Sequence, residues 1–288
     1  MQQTLATYSH PITTHVGEPD ALWTDTSRTT QPTTLVVTPV QLHKRNIETR
    51  LRKQAQPMSS LTFRRLRGVA TDLLTTAERP ATAADRVDRL TYLSEILTDT
   101  HHPVYTHLGA VLGEPLSDHR ERVERARSEL ELVTGFHPER MQRFADAVQA
   151  AAVEPTAPTV VDTLDLLAGV SRLQCDLTDR LTTESKERAT ESKPRLGSET
   201  AVLARAIREL VADHDIWAAA YPSIERLAVA GVSMLTAPLE DLLRVVATQT
   251  DTDVHLYLRT ASGPAIDEHL ARTTAVDAPG TQGVFAWR

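Results

Sequence analysis

Apolar and polar positions follow two different rhythms along this chain. Leu35-Val36-Val37 is a short, wholly apolar run, which suits a parallel strand covered on both faces, and Pro39 ends it. The following stretch, about Gln41 to Gln54, places Val40, Ile47 and Leu51 on one side and Arg45 with Arg52 on another, as a helix does for residues seven apart. Leu61, Thr62 and Phe63 form a second short strand, followed by a helix through Leu66, Val69 and Leu73. The same strand, turn, helix, strand order recurs between Glu225 and Arg259. There Leu227 and Val229 mark a buried strand, Thr236 and Pro238 open a helix, and Val254, Leu256 and Leu258 alternate with polar neighbours. A strand–helix–strand connection of this length is a crossover between parallel strands. A lone parallel pair buries too little to stand by itself, so the two units are expected to share one sheet.

Between the units the helical period takes over. Val123, Ala126, Leu130 and Val133 repeat at three and four behind an N-cap expected at Ser117. Pro138 opens another helix, with Met141, Phe144 and Val148 expected inward. Leu166, Val170, Leu173, Leu177 and Leu181 make the cleanest stripe, and Ser198 is expected to cap a further helix. Trp217 and Tyr221 are expected to pack the helical part against the second unit, and a short helix is expected at Pro264 to Arg272. The expected organisation is an irregular lead-in over 1–32, the first half of an α/β domain over 33–82, and a helical insertion over 83–218 with a polar loop at 182–197. The second half of the α/β domain follows over 219–288 and closes on an irregular tail.

Composition narrows the class. At 288 residues, with 41% hydrophobic and 24% charged residues, the chain can bury one large core or two modest ones. One cysteine, Cys175, permits neither an internal disulfide nor a thiolate metal site; it is expected as buried packing and favours a reducing compartment. No apolar run reaches the roughly 20 residues that span a bilayer, and residues 1–10 lack the pattern of a signal peptide. A cytoplasmic location with no membrane partner is expected. Arginine outnumbers lysine 27 to 4 and threonine is abundant, a composition like that of GC-rich, halophilic sources.

Charge is unevenly placed. Between His43 and Arg67 lie eight basic residues and one acid, Glu48, so this window carries +7 while the whole chain carries −7. Such a segment is either a solvated face or the contact for an anionic partner. His101, His102, His107 and His119, with Glu114 and Asp118 near, fit no defensible zinc spacing, so no metal is expected. Ser233 lacks the second glycine of a nucleophile elbow, and Asp162 and Asp165 are expected at the positive end of a helix.

Leu35-Val36-Val37-Thr38-Pro39 with Gln41, the pair Ile47-Glu48 with Leu51, and Leu61-Thr62-Phe63-Arg64-Arg65-Leu66 resemble the start of AddB-type subunits of bacterial helicase–nuclease complexes, within the UvrD-like superfamily 1 helicases. The stretch from Leu227 to Glu240 looks like a later strand of that family, and Glu131 to Pro138 is similar to its inserted helical domain. The resemblance covers residues 33–259 and implies the N-terminal portion of such a subunit: an α/β fold with the parallel sheet of a degenerate P-loop helicase-like domain and a large all-helical insertion. It implies that Thr38, Gln41, Thr62, Phe63, Arg64 and Arg65 line a track for single-stranded or end DNA, with Arg45, Arg52 and Arg67 extending the positive surface. A catalytic helicase or nuclease subunit is the implied partner, in DNA repair or recombination.

Two departures bear on catalysis. Gly17 is the only glycine upstream of Thr33, so the Gly-Lys-Ser/Thr loop that cradles phosphates is missing, and Ala230 and Gly231 stand where an active member carries adjacent acids. The expectation is a non-catalytic DNA-binding or scaffold part with no cofactor. The alternative is a protein-interaction module that docks through its basic helix and has no nucleic-acid role.

Overall fold

The computed structural model describes residues 12–17, Leu22, 26–99, 102–152, Glu154, 157–187, 195–196, 198–276 and 283–287. Its centre is a five-stranded sheet in which every pairing is parallel. The strands are β1 (Ile12–Val16), β2 (Thr34–Val37), β3 (Leu61–Arg64), β6 (Arg226–Ala230) and β7 (Asp253–Leu258), in the order β1-β7-β6-β2-β3. Leu35 stands beside both Thr62 and Leu227, so the two crossover units share one sheet as the apolar runs require. The fold is α/β.

Register assigns each strand residue to a face. On one face Leu35, Val37, Leu227, Val229, Val254, Leu256 and Leu258 build the large core. They pack against α2 (Leu66–Thr76), α8 (Glu199–Ala212), α9 (Asp215–Ala220), α10 (Ala237–Gln249) and α11 (Gly263–Arg272). On the other face Val36, Ala228, Ala230 and Tyr257 form a smaller cluster with Ile47 and Leu51 of α1 (Gln41–Lys53) and with Leu22. Trp217 belongs to the large core and donates its indole N–H to Thr252 at 2.8 Å, while Tyr221 donates its hydroxyl to Asp72 at 2.9 Å. The aromatic pair thus fastens the segment before β6 onto both crossover units.

A two-stranded parallel pair, β4 (Thr82–Ala83) with β5 (Arg195–Leu196), marks where the chain leaves for the helical insertion and where it returns. The insertion consists of α3 (Arg86–Asp99), α4 (Pro103–Leu112), a short 3-10 turn at Leu116–His119, α5 (Arg120–Thr134), α6 (Pro138–Ala151) and α7 (Pro158–Glu187). Its separate core centres on Leu167, Val170, Leu173, Leu177 and Leu181 of α7, against Leu93, Leu108, Val123 and Leu130. Ser198 caps α8, accepting the Ala201 N–H at 3.0 Å, and donates its hydroxyl to Glu131 of α5, which ties the insertion to the sheet domain.

Several sequence expectations need correction. Residues 12–16 lie inside the expected irregular lead-in but form the edge strand β1, because pairing with β7 completes backbone hydrogen bonds that a local pattern cannot reveal. The expected irregular tail contains an antiparallel hairpin, β8 (Thr273–Val276) with β9 (Val284–Trp287). Helix α7 runs on through Glu187, so the expected polar loop begins inside a helix; most of the rest of that loop lies outside the described residues. Helices α8 and α9 belong to the sheet core, which ends the insertion near β5 rather than at 218.

Val133 and Phe144 are exposed, contrary to expectation. In α5 the inner face instead carries Glu124, Arg127, Glu131 and Thr134, since Arg127 hydrogen-bonds both glutamates and Gln174 and its charge is met inside. Cys175 is exposed rather than buried. Ser117 falls within the 3-10 turn, and α5 starts after His119. Asp162 and Asp165 lie beyond the first turn of α7, where the helix end exerts little pull.

Candidate nucleic-acid interface

In an open parallel sheet the carboxyl ends of the strands form one edge, where ligands bind. At that edge β2 ends in Val37, with Thr38 next, and β3 ends in Arg64; the Thr38 N–H donates to the Arg64 carbonyl at 3.1 Å, so the two turns are held together. Pro39 stops the strand and Val40 caps α1 in an extended conformation, which places Gln41 at the first exposed turn. Arg65 caps α2 in the same manner.

These turns enclose a cavity of about 370 Å³ lined by Thr38, Gln41, Phe63, Arg64, Arg65 and Arg67, together with Lys44, Gly68, Thr71 and Asp72. Six of the nine residues expected at a DNA track are therefore brought together. Thr62 is not. Strand alternation puts it on the opposite face, level with Leu35 and Leu227. Arg45 and Arg52 are exposed on α1 outside the cavity; at 100° per residue they fall within about 40° of Gln41 and continue its side of the helix.

Phe63 is half-buried, packed beside the Val36 cluster, and Lys44 Nζ lies 5.6 Å from its ring centre. The residue is both part of the minor core and a partly open aromatic surface under a cation. The electrostatics are more divided than the sequence window implied. Arg64 Nε binds Asp72 at 3.0 Å, and this contact holds the Arg64 pKa above its ordinary value. Asp72 also accepts the Tyr221 hydroxyl; burial and this carboxylate push the tyrosine pKa well up. Arg67 pairs with Glu199 at 2.8 Å. Arg65, Arg45 and Arg52 remain exposed and form no ion pair with a described residue.

Sequence reasoning missed a second cavity, of about 630 Å³, on the other flank of α1. His43, Asn46, Arg50 and Lys53 line it from the helix; Gly17, Ala230-Gly231 and Arg259 line it from the ends of β1, β6 and β7. The signal was present, since positions 43, 46, 50 and 53 repeat at three and four along α1. Gly231 has a φ of +81°, and a side chain there would meet His43 Nδ1 at 2.4 Å, so both the backbone conformation and the space demand glycine. The Ala230-Gly231 turn and Gly17 thus sit together at the carboxyl edge of the sheet.

The histidines that invited a metal reading are scattered in role: His102 caps α4 by accepting the Val104 N–H, and His107 faces Asp165 at 3.8 Å. His119 lies against Gly113, and His101 lies outside the described residues.

No curated protein matches the chain. The model of the halobacterial UvrD-like protein family matches residues 2–285. That match spans the sheet, both cavities and the helical insertion, and the chain accordingly belongs to the halobacterial UvrD-like protein family.

Proposed function

We propose that this chain is a non-catalytic, helicase-like DNA-binding part of a DNA repair or recombination helicase–nuclease system, akin to an AddB-type subunit. The observation that supports it most is the convergence of Gln41, Phe63, Arg64, Arg65 and Arg67 around one cavity at the carboxyl edge of β2 and β3. Arginines position a phosphate backbone, and an exposed aromatic face stacks a base without regard to sequence. Single-stranded DNA, or the single-stranded end of a duplex, is the ligand this geometry accepts.

In this reading the chain does not turn over ATP, because the turn after β1 offers Gly17 alone and the turn after β6 offers Ala230 and Gly231 in place of acids. The power stroke and strand cleavage would come from a catalytic helicase or nuclease subunit. Exposed Val40 and Leu42, 48% and 61% accessible beside the basic helix, favour a second reading in which this edge docks onto an acidic protein surface.

Titration of a labelled single-stranded oligonucleotide across a salt series, with an ATP turnover assay in parallel, tests the proposal. Affinity falling steeply with salt, with no DNA-stimulated turnover, is the expected result. Salt-independent or absent binding shifts the assignment to protein docking, and robust turnover by the pure chain refutes the non-catalytic reading.

A further inference from the structure

Phosphates are held by cations and neutral donors, yet a carboxylate lines the cavity at the DNA edge. Among the described lining residues Lys44, Arg64, Arg65 and Arg67 are cations and Asp72 is the single acid. A carboxylate facing a phosphodiester repels it, so its place here calls for a reason beyond charge balance. Asp72 lies on α2 one turn after Gly68, where the missing side chain leaves the helix flank bare. Arg64 lies against that flank, its Cδ 3.4 Å from where a Cβ on Gly68 would stand.

The two carboxylate oxygens of Asp72 are in different situations. Oδ2 accepts both the Tyr221 hydroxyl at 2.9 Å and Arg64 Nε at 3.0 Å. Tyr221 is buried in the large core, so this oxygen is fixed from inside the protein. Oδ1 accepts no hydrogen bond from a described residue, and 35% of the Asp72 side chain is accessible. A carboxylate that only neutralises an arginine gains most by engaging it with both oxygens, as Asp241 does with Arg140. Asp72 instead has one oxygen anchored and one open, in a cavity it shares with the partly open ring of Phe63.

We infer that Asp72 selects the base stacked on Phe63: Oδ1 accepts an N–H from an exocyclic amino group, so cytosine or adenine is held in preference to thymine or uracil. Stacking is indifferent to the base, whereas an anchored acceptor is not. Thymine and uracil present a carbonyl where cytosine presents its amino group, and a carbonyl oxygen set against a carboxylate oxygen is repelled. The inference rests on the reading of this cavity as an edge for single-stranded DNA.

Fluorescence anisotropy of the full chain with labelled deoxycytidine and deoxyuridine oligonucleotides of equal length, across a salt series at neutral pH, tests it. The two rings differ only in the C4 substituent and the N3 proton. Deoxycytidine is expected to bind about fivefold tighter or more. In Asp72→Asn, Arg64 and Tyr221 both donate to the position of Oδ2 and so keep the amide oxygen there, which puts the NH2 group in the place of Oδ1. That variant is expected to lose the preference and turn it towards deoxyuridine, whose O4 accepts. The lost negative charge strengthens binding of both strands alike, so the ratio of affinities is the readout, and a purely structural role for Asp72 would leave that ratio unmoved. Equal affinity of the parent for both strands, or an unchanged preference in Asp72→Asn, overturns the inference. Should the variant not fold, a strand of 2-pyrimidinone deoxynucleotides, which lack the amino group, applies the criterion to the parent: weaker binding than deoxycytidine is expected, and equal binding overturns the inference. Absent or salt-independent binding of every strand removes the DNA reading and this inference together, whereas salt-dependent binding without preference removes the inference alone.

Discussion

Arg140 of α6 grips both carboxylate oxygens of Asp241 on α10, and the pair is buried. Asp241 also accepts the Phe285 N–H at 2.9 Å, and Arg140 Nε donates to the Phe285 carbonyl at 2.6 Å. The helical insertion, the sheet domain and the closing hairpin thus meet at one ion pair. Removing one partner of such a pair leaves a buried charge, so Arg140→Ala should cost about 3–5 kcal/mol in urea unfolding. A cost below about 1 kcal/mol would show the junction to be incidental.

Burial pushes the Asp241 carboxyl up to about 6, against the opposing pull of Arg140 and the Phe285 N–H. A carboxyl with a raised folded pKa contributes stability that is fully present below its unfolded pKa, near 4, and is lost as pH rises through about 6. Stability measured from pH 4 to 7 should therefore swing by up to about 3 kcal/mol in favour of Asp241→Asn relative to the parent. Parallel curves for the two proteins would contradict the assignment.

Gly231→Ala should destabilise by about 1–3 kcal/mol, through both its positive φ and the approach of His43. Adding His43→Ala should recover the steric part and leave the conformational part, a coupling that a double-mutant cycle reads directly. Strict additivity would mean that the ring yields without cost.

At the DNA edge, arginines already engaged by acids should matter less than open ones. Arg65→Ala is expected to flatten the logarithmic salt slope for single-stranded DNA by about 0.7, and Arg45→Ala with Arg52→Ala by up to twice that. Arg64→Ala, which only frees Asp72, should change the slope less. A larger effect from Arg64 than from Arg65 would place the phosphates elsewhere.

Phe63→Ala separates packing from recognition. Because the ring is only half-buried, truncation should cost about 1–2 kcal/mol of stability, below the cost for a fully enclosed phenylalanine. Stacking on the open face would add a loss of about 1–3 kcal/mol in DNA affinity. Lost stability with unchanged affinity would make Phe63 a core residue alone.

Local pattern was enough for elements whose burial is written in adjacent residues. Leu35-Val36-Val37 and Leu227 to Val229, bounded by turn residues, read as strands covered on both faces, and the stripe from Leu166 to Leu181 reads as a helix facing a core. Each periodicity reflects backbone geometry repeated within a few residues. Tertiary structure decided what depends on distant partners. Ile12 to Val16 is a strand because β7 offers it a hydrogen-bonding edge 240 residues away, as His15 and His255 illustrate. The window of +7 became a smaller effective charge because folding brought Asp72 and Glu199 to Arg64 and Arg67, and a count from His43 to Arg67 leaves those acids out. Thr62 and Phe63 are neighbours in sequence, yet pleating sends them to opposite faces, and only Phe63 reaches the cavity. The Arg50 and Lys53 cavity also belongs to the fold, because its walls come from three strand ends that the sequence keeps far apart and the sheet brings to one edge.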